Sequence, residues 1–223
     1  MKLKTIAIIP ARGGSKRLPH KNIKLLGEKP LILHSIQYAK RHNFIDEVYV
    51  STDCTDIMKV AIENGAQVIE RPHELAGDYE PTISAIKHAI LSIPSPIENV
   101  IILQATNPLR PKELLNDVFK CYTQHALSSL FTVTENTKKF GKIQQNKFIP
   151  YNYSPGQRSQ DLEKLYYENG LIYITKAKSI MEGYIMTPDA LPYIVNHIFA
   201  NVDIDTIEDF DYAEYLIKNH EEK

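Results

Sequence analysis

Tryptophan is missing from this 223-residue chain, and cysteine occurs only at Cys54 and Cys121. Two thiols so far apart match no metal-ligand spacing and build no disulfide framework. Free thiols in a reducing compartment are the expectation, with a single bridge as the alternative, and the chain is assigned to the cytoplasm. Long apolar runs are missing too, since nothing approaches the roughly 20 residues that span a bilayer. Met1-Lys-Leu-Lys-Thr5 leads straight into an apolar strand with no small-residue cleavage site after it, so no export signal is read. Charge of one sign is not in excess: 26 Lys and Arg stand against 27 Asp and Glu, a net charge of −1. That balance speaks against nucleic-acid and anionic-membrane partners and requires any basic site to be local. The eight histidines show no H-x-x-x-H spacing for zinc. No G-x-S-x-G is present and no serine has an evident base, which argues against a hydrolase.

What is present is ordinary in bulk and unusual at one place. Hydrophobic residues at 43% and charged residues at 24% suit a globular chain with one large core, read as a single domain over 1–223. The unusual place is residues 6–23. Ile6-Ala-Ile-Ile9 is a short apolar run bounded by Pro10, as a strand buried on both faces should be. A loop follows with Gly13, Gly14 and Ser15 at its centre and the cations Arg12, Lys16, Arg17 and Lys21 around them. Glycines let backbone N–H groups close on an anion, and the cations complete a phosphate cradle. The loop is neither a G-x-x-x-x-G-K-[ST] motif nor a G-x-G-x-x-G motif, and a bare Gly-Gly-Ser turn is also plain punctuation.

Strands and helices then alternate. Pro30 opens a helix carrying Leu31, His34, Ser35, Tyr38 and Ala39; Val48–Ser51 is a second strand. Thr52 and Asp53 are expected to cap a helix with Ile57, Val60 and Ala61, ended by Asn64-Gly65. Val68-Ile69, a helix over 81–91, the strand 100–103 and a helix opened by Pro111 continue the rhythm, and Leu171–Ile174 returns to the sheet. This is an α/β pattern with a mostly parallel sheet, whose ligands sit at the carboxyl ends of the strands. The loop 10–22, Ser51–Asp53, Arg71 and the segment 104–110 therefore share one rim. From 134 to 168 the rhythm breaks into a polar excursion, with a hairpin over 142–149 around Gln145-Asn146, read as a lid or dimer arm. Thr206 and Asp209 form a capping box for the last helix.

Asp203-Ile-Asp205 is the most informative acidic pair. On a strand the two carboxylates would face one side about 6.5 Å apart, a spacing that suits Mg²⁺ with waters and phosphate oxygens. Read alone, it is equally a strand end followed by a capping turn. Gln104 can donate to and accept from a sugar or a base, although Thr106-Asn107-Pro108 is also a good turn. Arg71 before a helix opened by Thr82 is a fair anion or ribose site, and also a plausible surface ion pair.

The string Ile6–Ile23 resembles the N-terminal signature of the CMP-sialic acid synthetases, the acylneuraminate cytidylyltransferases, with their sisters that load legionaminic or pseudaminic acid. Gln104-Ala-Thr-Asn-Pro-Leu-Arg110 resembles the family's L-Q-P-T-S-P-L-R, Arg158-Ser-Gln-Asp161 its R-R-Q-D, and Asp203-Ile-Asp205 its metal-binding D-x-D before the final helix. Ala105, Asn107, Ser159 and Tyr167 depart from that pattern, and Glu80 replaces a small residue common there. The resemblance implies a Rossmann-like three-layer sandwich of the nucleotide-diphospho-sugar transferase type with a protruding arm, and a homodimer joined through that arm. It also implies transfer of CMP from CTP to the anomeric hydroxyl of a nine-carbon 2-keto sugar acid, with release of pyrophosphate. Arg12, Gly13, Ser15 and Lys21 would then hold the triphosphate, with Lys21 and Arg158 beside Arg12 in catalysis. Asn22, Arg71 and Thr82 would hold the cytidine part, Gln104, Thr106 and Arg158 would face the sugar acid, and Asp203 and Asp205 would bind Mg²⁺ or Mn²⁺. The competing readings are a cytidylyltransferase for 3-deoxy-octulosonic acid and a catalytically silent nucleotide-binding regulator.

Overall fold

The structure, a computed structural model, describes residues 3–220. The strands are β1 (Lys4–Pro10), β2 (Leu25–Leu26), β3 (Lys29–Pro30), β4 (Glu47–Thr52), β5 (Gln67–Glu70) and β6 (Ile97–Ile102), then β7 (Ser129–Asn136), β8 (Gly141–Gln144), β9 (Lys147–Pro150), β10 (Leu165–Lys176) and β11 (Leu191–Ile194). The helices are α1 (Leu31–Lys40), α2 (Thr55–Glu63), α3 (Thr82–Ser92), α4 (Leu114–Gln124), α5 (Ala177–Glu182) and α6 (Ile207–Asn219).

Seven strands form one sheet in the order β11-β7-β10-β6-β1-β4-β5. Only β10 runs against its neighbours, pairing antiparallel with both β6 and β7. The reason β1 is apolar without alternation is now visible. Ala7 and Ile9 face a core shared with α1, α2 and α4, while Ile6 and Ile8 face a second core with α3 and α5. Helices thus cover both faces, and each fully buried isoleucine contributes about 1.5–3 kcal/mol by leaving water. A third core, with Leu26, Leu31, Phe210 and Leu216, seats α6 at the end of the sheet nearest the loop after β1.

Several boundaries differ from the sequence reading. Asn169-Gly170, a turn dipeptide just past the excursion read over 134–168, lies inside β10, where the ladder slips between Glu168 and Tyr173. Gly170 takes φ +74°, and a Cβ there would stand 2.6 Å from Asn107 Oδ1, so the bulge requires glycine. The ends of the stretch 134–168 belong to the sheet, with Asn136 opposite Leu165 and Thr134 opposite Tyr167. The irregular part is 137–164. Within it β8 and β9 form the expected hairpin, whose turn residues Gln145 and Asn146 have φ of 48° and 61°, as a two-residue primed turn demands. Thr52 and Asp53 do not cap α2: Cys54 occupies the cap position without a side-chain bond, because Asp53 is engaged elsewhere. The α4 helix begins at Leu114, after a turn, and not at Pro111. The Thr206–Asp209 capping box is present as read.

Candidate functional site

A cleft of about 570 Å³ opens at the carboxyl ends of β1, β5 and β6. It is lined by the loop after β1, by Arg71, by the turn and helix start from Leu75 to Ala85, by Gln104–Thr106, and by Asp203 and Asp205. Of the residues singled out from sequence, Arg12, Ser15, Lys21, Asn22, Arg71, Thr82, Gln104, Thr106, Asp203 and Asp205 all border it.

The loop after β1 is fixed from beneath. Asn22 is buried and donates from Nδ2 to Arg12 O at 2.9 Å, pinning one side of the loop to the other. A Cβ on Gly13 would sit 2.8 Å from Cys54 Cβ, so the loop lies too close to α2 for any side chain there. Gly13 N–H donates to Asp53 Oδ1 at 2.9 Å. That amide is satisfied by protein, and Gly13 does not line the cleft; its lack of a side chain lets the loop approach α2.

Two carboxylates divide the four loop cations between them. Asp78 accepts from Arg12 at 3.0 Å on Oδ1 and from Lys16 on Oδ2. Asp205 accepts from Lys21 at 2.9 Å on Oδ1 and from Arg17 at 2.6 Å on Oδ2. Lys21 is only 7% exposed, and its ammonium also donates to Ile204 O at 2.6 Å.

The segment holding Asp203 and Asp205 is not a ladder strand, as the sequence reading had it. It is extended chain fastened by a bond from Ile204 N to Thr106 O at 2.8 Å. The alternation survives because Val202 and Ile204 are buried in the α6 core, which turns both aspartates to the cleft. Asp203 is open to solvent within the cleft, yet its carboxyl is held above the ordinary range. Loss of water around it is the first cause, opposed by a hydrogen bond from Thr106, and the Asp205 charge adds to the rise.

Among the described residues Arg71 makes no surface ion pair. It is buried and donates from Nε to Ser51 Oγ at 3.2 Å and from Nη2 to Ser51 O at 2.7 Å. Thr82 opens α3, whose N-terminus has no side-chain cap, and Pro81, Thr82 and Ala85 border the cleft. Gln104 is placed by Arg110, which is buried and, among the described residues, has no carboxylate partner. Arg110 donates to Gln104 O at 2.9 Å, Leu171 O at 2.8 Å and Ser35 Oγ at 3.0 Å. Burial lowers the Arg110 guanidinium to about 10, so it remains charged at neutral pH. Asn107, one of the departures from the family pattern, is a buried clamp. It donates to Asn169 O at 3.0 Å and Val202 O at 2.8 Å, tying the β10 bulge to the acidic segment.

Arg158 is not brought to the cleft. It lies exposed in the irregular part, bound to Asp161 at 2.7 Å and 3.1 Å. Sequence reasoning missed Asp78, the bond of Asp53 to Gly13 and the positioning work of Arg110 and Asn107. Asp53 was legible as a polar residue at a strand end, whereas Asp78 sits in a turn with no pattern around it.

The cytidylyltransferase family model matches residues 6–223. The pseudaminic acid cytidylyltransferase of Campylobacter jejuni is 34% identical over 98% of this chain and 99% of its own length. The CMP-N,N'-diacetyllegionaminic acid synthase of Legionella pneumophila is 32% identical over 99% of both chains. The N-acylneuraminate cytidylyltransferase of Streptococcus agalactiae is 31% identical over 99% of this chain and 56% of its own length. Among solved structures, a CMP:2-keto-3-deoxy-manno-octonic acid synthetase complexed with CTP superposes with a TM-score of 0.73 at 17% identity, covering 98% of this chain and all of the other. The fold is thus that of a Rossmann-like nucleotidyltransferase, and the chain belongs to the cytidylyltransferase family.

Proposed function

We propose that this enzyme transfers CMP from CTP to the anomeric hydroxyl of a nine-carbon 2-keto sugar acid of the sialic, legionaminic or pseudaminic type. The observation that carries this reading is the opposition, across one cleft, of a four-cation loop and the Asp203–Asp205 pair, in a chain similar along its whole length to enzymes so named. The hydroxyl oxygen would attack the α-phosphorus in line. The new O–P bond forms as the bond to the β-phosphate oxygen breaks, pyrophosphate leaves and the hydroxyl proton passes to solvent. Positioning and charge neutralisation would supply most of the rate.

Arg12, Ser15 and Lys21 would hold the triphosphate, Asn22, Arg71 and Thr82 the cytidine side, and Gln104 and Thr106 the sugar acid. A hard cation suits the acidic pair, because both donors are carboxylates that border the cleft and the Asp205 charge makes Asp203 harder to ionise. Among the described residues no group of three or more His, Cys, Asp or Glu could hold a metal. Mg²⁺ or Mn²⁺ would therefore take its remaining ligands from water and substrate oxygens. Such an ion would neutralise phosphate charge as it develops.

The irregular part 137–164 is proposed as the arm of a homodimer within a chain that is otherwise one domain. Ile143, Phe148, Ile149 and Tyr151 are 78%, 55%, 45% and 68% exposed there, more apolar surface than a free hairpin usually shows. Arg158 would serve a cleft only through such pairing. A cytoplasmic location fits the free thiols Cys54 and Cys121, and among the described residues no helix is long and apolar enough to cross a membrane.

Phosphorus NMR of CTP mixed with each sugar acid tests the reading. Conversion of the α-phosphorus to a phosphodiester with a nine-carbon acid supports it. Conversion only with the eight-carbon 3-deoxy-octulosonic acid overturns the substrate class.

A further inference from the structure

Asp78 stands where no ligand-binding role requires an acid. It belongs to the turn between β5 and α3, borders the cleft, and puts one carboxylate oxygen on each of two loop cations, Arg12 and Lys16. Those cations belong to the loop that, in the reading above, receives a triphosphate. Lys16 and then Arg12 hold the Asp78 carboxyl below the ordinary range, so it is fully ionised at neutral pH. Arg12 also donates to Ala76 O at 3.5 Å, which ties the same turn to the loop through backbone. Like-charged oxygens cannot share these two cations with a triphosphate without mutual repulsion.

We propose that Asp78 is an internal counter-ion which the polyphosphate of the substrate displaces from Arg12 and Lys16, so that it sets how many phosphates a ligand needs in order to bind. A ligand without phosphates leaves Asp78 in place. A polyphosphate brings enough charge to replace it on both cations, and after pyrophosphate departs Asp78 returns and opposes its rebinding. The carboxylate is exposed, so its attraction for the cations is modest, and its removal should be felt as a few-fold change rather than as a loss of binding.

The proposal rests on the phosphate-cradle reading, and the test separates the two. Binding of inorganic tripolyphosphate, CTP and cytidine is measured by calorimetry for the wild type, Asp78→Asn and Asp78→Ala, with thermal unfolding as a check on the fold. In both variants tripolyphosphate and CTP should bind about three- to ten-fold tighter, with cytidine unchanged and the gain shrinking at high salt. Tripolyphosphate binding that is unchanged or weaker in folded Asp78→Asn overturns the counter-ion role. Equal tightening of cytidine would also overturn it, because the turn would then act by shape and not by charge. Failure of the wild type to bind CTP, with tripolyphosphate still tightened by the variants, would sink the nucleotide reading while upholding Asp78.

Discussion

The ammonium of Lys21 donates at once to the carbonyl oxygen of Ile204, at 2.6 Å, and to Oδ1 of Asp205, at 2.9 Å, joining the basic loop to the acidic segment across 184 residues of sequence. Both halves of the candidate site are thus held by one buried cation. Replacing it disturbs geometry as well as charge. Lys21→Ala should therefore lower kcat and weaken CTP together, each by roughly ten-fold or more. Steady-state kinetics that moved only the Michaelis constant would reduce Lys21 to a binding group.

Asp203 offers a cleaner variant than Asp205, since among the described residues Asp205 carries two ion pairs and Asp203 none. Asp203→Asn should leave the thermal midpoint unchanged or raise it, because a crowded carboxylate is removed. Turnover should fall by roughly a hundred-fold or more, and added Mn²⁺ should not restore it. Near-normal turnover would remove Asp203 from the metal set.

Among the described residues Arg110 has no carboxylate partner, yet it donates to three acceptors. Arg110→Met should cost roughly 1–3 kcal/mol of stability, since the Leu171 carbonyl loses the guanidinium as its donor while Gln104 O keeps only the longer bonds from Ser35 Oγ and Asn107 N. Denaturant unfolding checks the value, and a change below about 1 kcal/mol would mean that water replaces the guanidinium.

His34 is lowered to about 4, chiefly by loss of water around the ring, and its Nε2 donates to Leu26 O at 3.0 Å. A carbonyl accepts only, so the neutral ring carries its proton on Nε2. The unfolded chain binds a proton near pH 6.5 that the folded chain refuses until about 4. Stability should accordingly fall as pH drops through that window, by up to about 1.4 kcal/mol per pH unit from this residue. His42, also lowered by burial, adds in the same direction. His34→Gln should flatten the slope between pH 6.5 and 4; an unchanged slope would assign it to other groups.

Deleting 138–160 removes the exposed apolar hairpin while keeping the Asn136–Leu165 rung that closes β7 on β10. Sedimentation should find a monomer with the sheet intact by circular dichroism. A persistent dimer would move the interface elsewhere.

The parallel half of the sheet was legible because buried strands such as 6–9 and 100–103 are apolar without alternation, and because Pro30, Asn64-Gly65 and Thr206–Asp209 punctuate the helices between them. The antiparallel half was harder. β7 alternates Thr and Glu with apolar residues beside a polar loop, and β10 contains Asn-Gly, normally a turn, which here makes a bulge. Only the contact of Gly170 with Asn107, 63 positions earlier, explains why a turn dipeptide survives inside a strand. In the site, residues were legible where chemistry clusters along the chain, as at 12–22 and 203–205. Asp78 was not, and neither was the bond of the rim residue Asp53 to Gly13, since the partners Arg12, Lys16 and Gly13 lie 40 or more positions away and no local pattern records the pairing.

The most direct measurement is pyrophosphate release with each of the four nucleoside triphosphates against sialic, legionaminic and pseudaminic acids, with and without Mg²⁺. Release confined to CTP, dependent on the divalent ion and on a nine-carbon acid, is the expected result. CTP binding without release from any pair would contradict a catalytic role and leave a nucleotide-binding regulator in its place.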